Sequence, residues 1–153
     1  MNFNDLQRGL SVYPALGLLF MGLGNPMRRD DGAGLILLES IQRSHAFRNS
    51  LFIRAGTNPE NYLQPILDST ARAMVVIDTA HFCEKPGTIA WIPRQSIDRT
   101  GFSTHTYSMV CIESYLRRIR PMELFYIGIA PFSTGFGEVI TPEMHRSLDE
   151  FFA

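Results

Sequence analysis

The stretch Met21–Gly34, MGLGNPMRRDDGAG, decides how this chain is read. It follows the apolar run Leu16–Phe20 and precedes Leu35–Ile41, whose apolar residues recur at helical spacing, so it is the turn from a buried strand into a helix. In open α/β sheets such turns carry ligand sites. Its glycines let the backbone bend or be approached closely, Asn25 tolerates unusual backbone angles, and Asp30 and Asp31 set two carboxylates side by side.

Outward from this turn the chain alternates strands and helices. The helix runs from Asp31 to about Ala46, with Asp30 placed to cap its first amides. Leu51–Ala55 is a second strand ended by Gly56, and Asn58, Pro59 and Glu60 start a helix that reaches about Ser69. Ala73–Ile77 is the most β-branched apolar run and ends at Asp78, which puts a carboxylate at the C-terminal end of a central strand. Thr88–Ile92, closed by Pro93, reads as an edge strand, and its short connection predicts that it lies antiparallel to the preceding strand. A loop, Pro93–Thr104, delivers His105 to the start of a helix whose apolar positions are Met109, Ile112, Leu116 and Ile119. Leu124–Ala130 is the last buried strand, Pro131–Ile140 a glycine-containing loop, and Thr141-Pro142-Glu143 the capped start of a final helix to Phe152. Upstream, Leu6 and Leu10 mark a short helix over Asn2–Tyr13, an N-terminal extension (1–14) on a single domain spanning 1–153. The alternation implies a three-layer α/β domain with right-handed crossovers.

The totals narrow the function. A chain of 153 residues buries roughly 70% of the surface its unfolded form exposes, enough for one proper core. The balance of 14 Lys+Arg against 15 Asp+Glu, with no basic stripe interleaved with aromatics, speaks against nucleic acid. Ala15–Leu23 is about half the length of a membrane helix, and no cleavage-site pattern follows it, so membrane insertion and export are not expected and the chain is assigned to the cytoplasm. Cys83 and Cys111 form no C-x-x-C pair and read as reduced, buried thiols.

The turn is no nucleotide fingerprint, because the third glycine of G-x-G-x-x-G falls at Met27, and a P-loop's Lys and Ser/Thr are missing. Two acids at a helix start repel phosphate and attract a cation. Asp31, Asp78 and His105 follow three different strands, on what should be the same C-terminal edge of the sheet, and can converge there. Two carboxylates and an imidazole leave open positions on a zinc-like or nickel-like ion. Taken singly, each has an ordinary structural role as cap, turn residue or core histidine; only the combination points to a site. No H-E-x-x-H or G-x-S-x-G is present, and Ser103, two residues before His105, has no catalytic spacing. His81 and Cys83 either add a soft ligand or line a loop. Arg28 and Arg29 are either solvated or hold a partner's carboxylate.

The motif G-x-G-N-x4-D-D/E-x-x-G, present as Gly22, Gly24, Asn25, Asp30, Asp31 and Gly34, resembles that of the NiFe hydrogenase maturation endopeptidases. The likeness continues through Gly56-Thr57 with Pro59-Glu60-Asn61, the strand ending in Asp78, Pro86-Gly87, Ser103-Thr104-His105, Tyr126–Pro131 and Phe136-Gly137-Glu138, covering nearly all of the chain after Leu16. It is strongest with the branch acting on hydrogenase 3, formate-hydrogenlyase-like enzymes. The resemblance implies an α/β/α sandwich around a five-stranded, mostly parallel sheet, and a protease that removes the C-terminal extension of a hydrogenase large-subunit precursor. It also implies metal contact and catalysis by Asp31, Asp78 and His105, and substrate contact at Gly22, Gly24, Asn25, Arg28 and Gly56. The metal implied is nickel carried by the substrate, with zinc or cadmium able to stand in at the site in vitro and no tightly bound cofactor of the protein's own. A monomer is expected. The rival readings are a nickel-sensing maturation chaperone that does not cut, a nucleotide-binding domain, and a zinc peptidase with its own metal.

Overall fold

In the computed structural model the described residues are 1–14, 17–82, 84–97 and 103–153. Among them the elements run α1 (Phe3–Leu10), β1 (Leu18–Leu23), α2 (Ala33–Arg43), β2 (Leu51–Gly56), α3 (Leu63–Asp68), β3 (Ala73–Thr79), β4 (Ile89–Ile92), α4 (Arg94–Ile97), α5 (Thr106–Ile119), β5 (Glu123–Ile129) and α6 (Pro142–Phe152). The strands form one five-stranded sheet in the order β2-β1-β3-β5-β4, parallel except for the β4–β5 pair. The sheet matches the five-stranded, mostly parallel one that the resemblance implies.

Successive residues of a strand face opposite sides of the sheet, and the core divides accordingly. Leu18, Phe20, Val75 and Ile77 pack with α1, α2 and α6, through Leu6, Leu10, Leu37, Ile41, Met144 and Phe151. Leu19, Met21, Met74 and Val76 pack under Ile66 of α3 and Met109, Ile112 and Leu116 of α5. Helices therefore cover both faces, which is why β1 and β3 are buried along their whole length and read as continuous apolar runs. By the same alternation Asp78 falls on the α5 side of the sheet, whereas the Thr79 hydroxyl donates to the Asp30 carbonyl at 2.8 Å. The N-terminal helix belongs to this core rather than standing off it. Asn2 and Asp5 form a reciprocal capping box, and Phe3 packs edge-on against Phe47 and Phe151.

Several sequence expectations are corrected. The first strand, expected over about Leu16–Met21, begins at Leu18 and extends to Leu23; Leu16 lies outside the described residues. The helix over 58–69 is two pieces, a 3-10 turn Pro59–Tyr62 and then α3. Pro65 explains the break: lacking an N–H and clashing with the carbonyl four residues back, it must sit in the first turn of a new helix. β4 pairs antiparallel with β5, not with β3, because β3 is already flanked by β1 and β5. The short β3–β4 connection fixed the direction of β4 but not its neighbour. Cys111 is exposed, off the buried stripe of α5, so it is no buried thiol; Cys83 lies outside the described residues. Among the described residues no helix is long and apolar enough to cross a membrane.

Candidate active site

The turn after β1 is built by its own backbone. Gly24 has φ +132°, and a Cβ there would lie 2.0 Å from the Asp31 carbonyl oxygen. Only glycine lets the chain fold back so closely. Asn25 then holds the loop from both sides: its Oδ1 accepts from the Met27 amide at 2.9 Å, and its own amide donates to Asp31 Oδ2 at 3.0 Å. One oxygen of Asp31 is thereby fixed, in a side chain only 7% exposed.

Asp30 does not cap the helix. It sits inside a 3-10 turn, Arg29–Gly32, which makes no side-chain cap; its carboxylate is turned to the late loop instead. Fully buried, it instead accepts hydrogen bonds from the amides of Phe132 (2.9 Å), Ser133 (3.0 Å) and Thr141 (2.7 Å) and from the Thr141 hydroxyl (3.0 Å). Thr141 in turn caps α6 by accepting from the Met144 amide. Backbone bonds Arg29 N to Gly137 O (2.8 Å) and Gly137 N to Met27 O (3.0 Å) continue the seam. The signature turn and the late loop 131–141 are thus one unit.

Asp78 is the penultimate residue of β3, on the α5 side, and His105 stands at the N-cap position of α5. His105 does not arrive from a strand's C-terminal end as expected. β4 runs against the other strands and finishes beside Tyr126, toward the opposite edge, so the segment after it does not leave a strand end at the site. Part of that segment, 98–102 within the expected loop Pro93–Thr104, lies outside the described residues, and α4 occupies 94–97. Ser103 joins the two functional side chains: its Oγ donates to Asp78 Oδ2 and accepts from the His105 amide at 3.0 Å. Asp78, Ser103 and His105 line a small, partly open pocket with Leu23, Val76 and Met109. Ser103 also borders a second, open cavity with Arg28, Asp31, Thr79, His81 and Thr134.

The electrostatics couple the three candidate residues. Burial pushes the Asp78 carboxyl up to about 7, against the hydrogen bond from Ser103, and the neighbouring Asp31 charge adds to the rise. Burial lowers the His105 imidazole, while Asp31 and Glu60 pull it the other way. Glu60 is held below the usual carboxylate range, first by its own backbone amide and then by Asn58, with Ser108 and His105 adding to the effect. Buried and without a hydrogen-bond partner among the described residues are Asp78 Oδ1 and His105 Nε2. Buried polar atoms are normally satisfied, so two orphaned acceptor-type atoms bordering one cavity suit a ligand that brings a cation or donors. No group of three or more His, Cys, Asp or Glu is assembled closely enough to hold a metal ion among the described residues.

The other expected substrate positions divide. Gly22 lies inside β1, where a Cβ would meet Leu38 Cδ2 at 2.9 Å, and the clearance at Gly24 is filled by the Asp31 carbonyl. At these two glycines the chain's own α2 and turn come in close to the backbone. Asn25 is occupied by the turn. Gly56, at φ +64°, accepts from the Gly24 amide at 3.0 Å, and beside its own Cα nothing nearer than the Gly24 carbonyl at 3.9 Å would meet a side chain. Arg28 is exposed at the open cavity, its Nε donating to the Thr134 carbonyl at 3.1 Å. Ser103 and Glu60 are the neighbours that sequence spacing did not single out; the hydroxyl and carboxylate next to Thr104-His105 and Pro59 carry no local signal of where they point.

A sequence model of the hydrogenase maturation protease family, HycI, matches residues 36–153. A hydrogenase maturation protease homologue from Methanocaldococcus jannaschii is 27% identical over 121 residues, 74% of this chain and 72% of that one. The hydrogenase expression/formation protein HupD of Rhodobacter capsulatus is 25% identical over 144 residues, 86% of this chain and 66% of that one. Among solved structures, the NiFe hydrogenase maturation protease HycI from Thermococcus kodakarensis superposes with a TM-score of 0.79 at 23% identity, covering 95% of this chain and 92% of that one. The endopeptidase HybD from E. coli gives 0.73 at 17% identity, covering 88% and 86%. These structures share the fold, and with a family match over most of its length the chain belongs to the hydrogenase maturation protease family.

Proposed function

We propose that this chain is a cytoplasmic endopeptidase that removes the C-terminal extension of a nickel-loaded NiFe hydrogenase large-subunit precursor, acting as a checkpoint after metal insertion. The observation that carries the reading is the pair of buried, unpartnered atoms Asp78 Oδ1 and His105 Nε2 at the sheet edge where the Asp31 charge acts on both residues. A carboxylate oxygen and an imidazole nitrogen suit nickel or zinc, and Asp31, bordering the adjoining cavity, would supply a further carboxylate, although the three are not drawn together into a metal-holding group among the described residues. Nickel held in the precursor supplies Lewis acidity at the scissile bond. The chain's own residues orient that bond. Burial disfavours a charge on His105, Asp31 supplies negative charge at the adjoining cavity, and Arg28 and Gly56 would contact the extension. The protein works as a monomer and needs no tightly bound cofactor of its own.

Asp31→Asn tests the assignment. Asparagine can still accept from the Asn25 amide, so the turn survives while the charge is lost. Wild-type protein shortens nickel-loaded precursor, read by mass spectrometry, and the variant leaves it uncut; full cleavage by the variant overturns the assignment. Binding of the precursor by wild-type protein with no shortening at all supports the chaperone reading instead.

A further inference from the structure

Among the described residues the Ser103 hydroxyl hydrogen-bonds to both Asp78 and the His105 amide. It is itself held in place. The Ser103 amide donates to Thr106 Oγ1 at 3.1 Å, and Thr106 Oγ1 donates back to the Ser103 carbonyl at 3.0 Å, so one side chain secures both backbone groups of Ser103. The torsion that turns a carboxylate about its own axis is broad and roughly two-fold, so packing alone does not decide which Asp78 oxygen faces the cavity. A donor on Oδ2 does decide it. With Oδ2 engaged by Ser103, Oδ1 is left as the unpartnered buried oxygen, and His105, whose amide bonds to the same hydroxyl, keeps Nε2 unpartnered beside the same cavity.

We propose that Ser103 is a positioning residue: one hydroxyl bridges the Asp78 carboxylate and the His105 backbone, fixing the aim of Asp78 Oδ1 and His105 Nε2 at the substrate. The inference rests on the proposed endopeptidase reading and deepens it. A serine that merely closed the first turn of α5 would bond only to backbone; here the hydroxyl crosses to β3. Residues that orient contacting side chains in this way typically carry 10–100-fold in activity.

The test compares wild type, Ser103→Ala and Ser103→Thr on nickel-loaded precursor, with kcat and KM measured separately. Ser103→Ala lowers kcat roughly 10–100-fold and leaves KM essentially unchanged, because precursor docking does not pass through the hydroxyl. Ser103→Thr, which keeps the hydroxyl, recovers most of the lost kcat. In the free proteins, hydrogen exchange followed by NMR shows the His105 amide losing protection in Ser103→Ala and keeping it in Ser103→Thr, while circular dichroism shows both folded. Wild-type kcat in Ser103→Ala, a change confined to KM, or a Ser103→Thr variant as slow as Ser103→Ala overturns the inference and leaves the endopeptidase reading standing. That reading falls separately, if wild-type protein leaves the precursor uncut.

Discussion

Asp30→Ala is the substitution whose effect the structure specifies most closely. Asp30 has no exposed surface and accepts from three backbone amides and one hydroxyl, all at 2.7–3.0 Å and all from residues more than a hundred positions away. Alanine strips every one of these donors of its acceptor. An orphaned buried donor costs about 1–3 kcal/mol. Phe132 and Ser133 lie near the surface, where water can replace part of the loss, so the lower end applies and the three amides together cost about 3 kcal/mol. For a domain of this size that is a midpoint shift of roughly 6–12 °C, or about 1.5 M urea at an m-value near 2 kcal/mol/M. Asp30→Asn keeps one acceptor oxygen but turns an NH2 toward donors on the other side, and loses about half as much. Asp31→Asn loses least of the three, because Asp31 accepts a single amide bond that asparagine can keep. Urea unfolding of the purified variants measures the order. An Asp30→Ala variant within 1 kcal/mol of wild type, or an Asp31→Asn variant less stable than Asp30→Ala, refutes the assignment of Asp30 as the lock between the turn and the late loop.

Two further outcomes follow from the site. Asp78→Asn stabilises the metal-free protein at alkaline pH. A carboxyl raised from 3.8 to about 7 on folding is penalised once ionised, so wild-type stability falls as pH rises from about 4 to 7, by an upper bound of roughly 4 kcal/mol. The amide removes that penalty, and its gain in Tm in EDTA is larger at pH 8 than at pH 5; an equal gain at both, or a loss at pH 8, contradicts the burial account. Gly24→Ala puts a methyl group 2.0 Å from the Asp31 carbonyl at a φ of +132°, so it destabilises by more than about 2 kcal/mol. A variant of wild-type stability by calorimetry shows that the turn is not held as described.

The parts of this protein that are legible in its sequence are those fixed by nearby residues. Gly24, Asn25 and Asp31 interact within one turn, so residue type and spacing already mark a constrained loop. Asp78 is legible because a fully buried strand is a continuous apolar run and the first carboxylate after it marks the end of the run, one residue before the end of β3. Cys111 could have been placed outside as well, since it lies off the stripe of Met109, Ile112 and Leu116. What sequence could not supply is the identity of distant partners. Nothing local tells Asp30 that its donors are Phe132, Ser133 and Thr141, and a carboxylate before an apolar helix reads as a cap whatever it bonds to. The neighbour of β4 was hidden for a similar reason, because the insertion of β5 depends on the whole sheet. That reversal also changes how His105 is held at the site: it is anchored through Ser103, not delivered by a strand end.

The most direct measurement incubates purified wild-type protein with two preparations of the same hydrogenase large-subunit precursor, one nickel-loaded and one nickel-free, and follows the mass of the large subunit. The account predicts loss of a C-terminal fragment from the nickel-loaded preparation alone. Equal cleavage of both, or of neither, contradicts it.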